Sequence, residues 1–90
     1  MTRVRVMTYN ILHGGRGREA VLSEVIQHAQ PDILLLQEVA GPDLVALLAR
    51  SLGLSHFFLA ASNRPRHNLA LLSHYPIRYS NSFRPRPVWR

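Results

Sequence analysis

The stretch Pro31-Asp32-Ile33-Leu34-Leu35-Leu36-Gln37-Glu38-Val39 constrains this chain more than any other. Four consecutive large aliphatics follow a Pro-Asp turn and run directly into an amide and a carboxylate. A short apolar run bounded by turn signals predicts a strand buried on both faces, as at the centre of a parallel sheet. Gln37 and Glu38 close that strand, and open α/β sheets bind ligands at the carboxyl ends of their strands. A carboxylate buried there needs a metal, a cation or water.

The flanking segments predict how that strand is used. Residues 3–9 alternate polar and apolar, with Val4 and Val6 on one face, and predict a first strand broken by the glycine-rich loop 10–17. Residues 18–30 place apolar side chains at 21, 22, 25, 26 and 29, the spacing of a helix with one buried stripe. Glu19, Glu24 and Gln27 then face outward. Gly41-Pro42 predicts a second helix start, because proline at the first helical position loses no hydrogen bond. Leu44, Val45, Leu47, Leu48 and Leu52 form its stripe, and Gly53 suits the left-handed cap that follows. Residues 55–61, 69–73 and about 77–83 predict further strands, separated by the polar loop 62–67 and the Tyr75-Pro76 turn.

The order is therefore β-α-β-α-β-β-β, an α/β mixed sheet with right-handed parallel crossovers first and an antiparallel part after them. Two helices cover at most one face of such a sheet, whereas the strand at 33–36 is apolar enough for both. Further chain or a partner is expected to supply the second cover. At 90 residues there is one domain at most. It is expected to span 1–83, with an Arg/Pro-rich tail at 84–90 whose prolines bar it from a central strand.

Composition excludes several classes. There is no cysteine, hence no disulfide and no thiolate metal site. No run approaches the roughly 20 apolar residues of a membrane span. The start carries no apolar signal core, so a cytoplasmic location is expected. The net charge is +6, and every basic residue is arginine. An anionic partner such as nucleic acid and a merely solvated basic surface are both consistent with that charge.

Asn10 and Glu38 end two strands that a β-α-β connection makes neighbours. An amide and a carboxylate at one sheet edge make half of a hard-metal site, since magnesium accepts one or two carboxylates and fills its shell with water and phosphate. A turn asparagine and a solvated strand end would look the same. His13, in the glycine loop, is a weaker candidate for touching a substrate phosphate. No two of His13, His28, His56, His67 and His74 stand at metal-ligand spacing. Ser73 has no triad partner nearby. Trp89 suits either base stacking or a place in a core.

The blocks Met7-Thr8-Tyr9-Asn10-Ile11-Leu12-His13-Gly14, Pro31 to Val39, and Leu69-Ala70-Leu71-Leu72-Ser73-His74-Tyr75-Pro76-Ile77 resemble the endonuclease/exonuclease/phosphatase superfamily, the DNase I-like phosphoesterases. They occur in that family's order and at its usual separations. The resemblance implies the N-terminal half of a four-layer α/β sandwich. It implies that Asn10 and Glu38 belong to the active site, with Glu38 the ligand of one divalent ion, Mg2+ or Mn2+. Two family motifs find no counterpart in this sequence: an Asp-x-Asn that positions phosphate and activates water, and a closing Asp-His pair. Asp32 opens the buried strand at the end away from Glu38, and Asp43 is accounted for by the dipole of the helix it begins. Asn68 stands where the family commonly has glycine, and His74 where it commonly has arginine.

The resulting expectation is an N-terminal portion of a divalent-metal-dependent phosphoesterase, inactive alone, acting on a phosphoester and completed by a complementary C-terminal half. The alternative is a basic half-domain that binds nucleic acid or a partner without catalysis. A third reading, a chain with no function of its own, predicts aggregation through an exposed sheet face.

Overall fold

A computed structural model describes residues 3–64 and 66–80 of the chain. Its elements are β1 (Val6–Gly14), α1 (Glu19–Ala29), β2 (Ile33–Val39), α2 (Pro42–Leu52), β3 (His56–Ala60) and β4 (Asn68–Ser73). The strands form one mixed sheet in the order β1-β2-β4-β3. β1 runs parallel to β2, and β4 lies antiparallel to both β2 and β3. Parallel neighbours need a crossover, which α1 provides. The expected α/β class and mixed sheet are therefore observed.

The core lies on one face of that sheet. Leu34, Leu36 and Val39 of β2, with Ala70 and Leu72 of β4, are buried in a cluster with Leu22 and Ile26 of α1 and Leu44, Val45, Leu48 and Ala49 of α2. Side chains alternate across a strand, so the residues between these point the other way. Ile33, Leu35, Leu71 and Phe58 are only half-buried. Val6 and Leu69, on that same side, are 59% and 53% exposed. The run at 33–36 is thus covered on one face among the described residues, not on both, because both helices pack on the same side.

Several boundaries move for physical reasons. β1 continues through the expected loop to Gly14, because its pairing with β2 resumes at Gly14 opposite Val39. The stripe of α1 narrows to Leu22 and Ile26, with Val21 and Val25 exposed, and Glu19 is half-buried rather than turned outward. α2 starts at Pro42 after Gly41 and ends on Gly53 with φ +68°, as its sequence implies. Residues 77–80 form no strand, and the rest of the expected fifth strand, the tail at 84–90 and Trp89 lie outside the described residues.

The two ends of the sheet differ in what closes them. At the amino end of β2, the Asp32 carboxylate accepts the Arg5 backbone N–H at 2.8 Å. The Asp32 carbonyl accepts the His74 N–H at 2.8 Å. Asp32 therefore stitches β1 to the end of β4, remote from Glu38. No helix among the described residues is long and apolar enough to cross a membrane.

Candidate active site

At the carboxyl end of β2 the regular ladder gives way on both sides. Toward β1, Asn10 pairs with Gln37 and the next pair is Gly14 with Val39, so residues 11–13 face Glu38 alone. Toward β4, Leu36 pairs with Ala70 and Val39 with Asn68, so Gln37 and Glu38 together oppose Leu69. An extra residue of this kind is a β-bulge, which bends a strand and re-aims a side chain. Glu38 occupies the left-handed region with φ +59°, and Leu12, in the facing irregularity of β1, has φ +58°. A residue with a Cβ is strained there by about 1–2 kcal/mol, and such strain concentrates at functional sites.

Local contacts hold both irregular segments. The Asn10 side-chain oxygen accepts the Leu12 N–H at 3.0 Å. This is a turn stabilised by its own asparagine, so the turn reading of Asn10 describes its observed hydrogen bond. The Arg18 guanidinium donates to the carbonyls of Ile11 and Leu12, and the Leu12 carbonyl also accepts the Gly15 N–H. Ala40 N–H donates to the Gly14 carbonyl at 3.1 Å. Gly14, with φ +82°, comes so close that a Cβ there would lie 2.9 Å from Ala40 Cβ. Glycine is required at that crossing.

The loop between β3 and β4 reaches the same end. His67 Nδ1 stands 3.9 Å from Glu38 Oε1, and the Glu38 side chain is 22% exposed. Arg66 also borders Gly14, its Cβ 3.4 Å from where a Cβ on that glycine would be. Asn68 bridges the parts. Its amide donates to the carbonyls of Val39 at 3.1 Å and Ala40 at 3.3 Å, and its oxygen accepts the Ser62 N–H at 2.8 Å.

The structure thus brings Asn10 and Glu38 to adjacent strands, one register position apart, and adds His67, Arg66 and Asn68 around them. It places His13 in the same β1 irregularity. His74 lies at the opposite end of the sheet, held to Asp32. Ser73 Oγ accepts the Tyr75 N–H at 2.9 Å and serves a turn. Asp43 is held by Arg16 through contacts of 3.0 and 3.2 Å, which push its carboxyl below the usual carboxylate range. Among the described residues no group of three or more His, Asp or Glu side chains converges as a ready-made metal cage.

His67 escaped sequence reading because 29 residues separate it from Glu38 and nothing local signals that β4 returns beside β2. The polar loop before a strand was the available hint.

The family model for the endonuclease/exonuclease/phosphatase family matches residues 7–89, nearly the whole chain. The chain belongs to that family. The matched range includes the Asn10 and Glu38 blocks that meet at the carboxyl edge. Among solved structures, a crystal structure of truncated TDP2 from Caenorhabditis elegans is similar, at 29% identity and a TM-score of 0.58. The alignment covers 78% of this chain and 29% of that one, so the chain spans less than a third of the length of that relative. No curated protein sequence matches it. Within the family, the N-terminal portion of a DNase I-like fold accounts for the mixed sheet with helices on one face.

Proposed function

We propose that this chain supplies the metal-ligand half of a phosphoester hydrolase, with Glu38 as the carboxylate that holds one divalent ion. The observation that carries the reading is the placement of Glu38. It sits in a bulge, in a strained backbone conformation, at the carboxyl edge of the sheet and one register position from Asn10. A single carboxylate suits a hard cation that keeps most of its water, Mg2+ or Mn2+, better than a metal that demands a closed cage. When bound, such an ion polarises the phosphoryl oxygen and stabilises the departing oxyanion.

The chain's own groups would do the following. Glu38 holds the charge, and its bulge fixes where that charge sits. Asn10 orders the facing turn through Leu12 and keeps the β1 carbonyl edge in place. Arg66 and His67 present donors for a phosphate at the rim. In the reaction, water adds to phosphorus, the phosphorus–oxygen ester bond breaks, and the leaving oxygen takes up a proton. Neither aspartate stands where it could serve as the base for that water, since Asp32 is at the far end and Asp43 is engaged by Arg16. The 90-residue chain is therefore proposed to bind metal but turn over no substrate until a complementary segment supplies the base, because catalytic groups acting as a unit lose most of their effect when one is missing.

Manganese binding followed by electron paramagnetic resonance tests this. Wild type should bind one Mn2+, and Glu38→Gln should weaken binding at least tenfold, the effect of losing a directly ligating charge. Unchanged binding in Glu38→Gln sinks the assignment. Metal-dependent turnover by the isolated chain would sink the claim of inactivity. Salt-sensitive DNA binding that survives Glu38→Gln, without metal binding, would favour the basic binding module instead.

A further inference from the structure

We infer that Asn68 is a positioning residue for Glu38, clamping the β2 bulge to the loop that carries Arg66 and His67. The inference deepens the metal-ligand reading above, on which its affinity prediction rests.

The geometry is specific to an asparagine. The amide of Asn68 donates to the carbonyls of Val39 and Ala40, the two residues after Glu38, at 3.1 and 3.3 Å. Its oxygen accepts the Ser62 N–H at 2.8 Å. Only this orientation of the amide satisfies all the partners, because the reverse would set a donor against the Ser62 N–H. Aspartate keeps the acceptor and loses the donors. Alanine and glycine lose both.

A clamp is needed at this point. The one-residue bulge sets Gln37 and Glu38 together opposite Leu69, outside the regular register. The left-handed backbone of Glu38 is disfavoured and persists only where its surroundings over-determine it. Asn68 supplies that determination from the partner strand, at the pair where register resumes, Val39 with Asn68. The same side chain closes the base of loop 62–67 through Ser62, and the loop's last residue, His67, lies 3.9 Å from the Glu38 carboxylate. One amide thereby joins the strand end that carries Glu38 to the loop that carries Arg66 and His67.

The test combines amide hydrogen exchange with Mn2+ titration on the 90-residue chain, comparing wild type, Asn68→Ala and Asn68→Asp. In Asn68→Ala the Ser62 N–H loses its acceptor and should exchange up to about tenfold faster, and the Ala40 N–H, bonded to the Gly14 carbonyl, should exchange faster as the bulge beside it loosens, while core amides such as Leu48 keep their protection. The Mn2+ dissociation constant should rise about tenfold or more, as for other groups that orient a ligand. In Asn68→Asp, Ser62 should remain protected while Ala40 loosens, a split that a general loss of stability would not produce. Should Asn68→Ala fail to fold, that split in Asn68→Asp decides the matter. Unchanged Ala40 exchange in both variants, or Mn2+ affinity within twofold of a metal-binding wild type, would overturn the inference. Absence of Mn2+ binding by wild type would sink the metal-ligand reading, and the exchange data would still decide whether the clamp exists.

Discussion

The backbone of Glu38 is the point at which chemistry and stability oppose one another. A glutamate with φ +59° carries a steric cost that glycine would not. Glu38→Ala and Glu38→Gly both remove the carboxylate, so their difference isolates that cost. The glycine variant should be the more stable by about 1 kcal/mol in urea unfolding, and equal stability would remove the strain argument. Gly14 presents the reverse case. Its Cβ-free approach to Ala40 and its φ of +82° leave no room for a side chain. Gly14→Ala should destabilise by about 1–3 kcal/mol, through overpacking and a disfavoured backbone together. The same titration in urea measures it. Asn10 was legible from the sequence as a residue that mattered, but its observed bond to Leu12 N–H is equally that of an ordinary turn.

Among the elements, α2 is the one most completely written in the sequence. Pro42 begins it, Gly53 caps it, and Leu44, Val45 and Leu48 fall on its buried side. Leu48 is fully buried between helix and sheet, and Leu48→Ala should cost about 2–5 kcal/mol, read from the denaturation midpoint. At the start of α2, the Arg16–Asp43 pair ties the glycine-rich segment to the helix. Hydrogen bonding to Arg16 lowers the Asp43 carboxyl from 3.8. A lowered carboxylate contributes stability above its unfolded value and loses that contribution as pH falls through the folded value. Both side chains are exposed, so the contribution is small and salt-sensitive. Arg16→Ala should return the Asp43 titration toward 3.8, followed by carbon NMR, and no movement would mean the pair does not persist in solution. β1 was less legible than α2. Its later half reads as a glycine loop by local pattern, and only pairing across to Val39 makes it strand.

For the whole molecule, the arrangement of layers is the main fact. Both helices lie on one face of a four-stranded sheet, and the other face displays Val6, Leu69 and half-buried aliphatics. Contiguous apolar surface of that kind promotes association. The doubly polar variant Val6→Thr, Leu69→Thr should therefore self-associate less in sedimentation velocity than wild type, with an unfolding midpoint little changed. Equal association would show that this face is not the one that sticks.

The sequence by itself determined the class of fold, the family, the extents of both helices and the pairing of Asn10 with Glu38 as candidates. Those features depend on periodicity, capping and contiguous motifs, which act over a few residues and need no knowledge of the rest. Only the tertiary structure decided which end of the sheet each remaining polar residue occupies. Because β4 returns antiparallel to β2, Asn68 and His67 arrive at the carboxyl edge beside Glu38, while Ser73 and His74 arrive at the amino edge beside Asp32. Strand direction is set by how the chain closes around its core, and no local pattern in residues 62–75 encodes it.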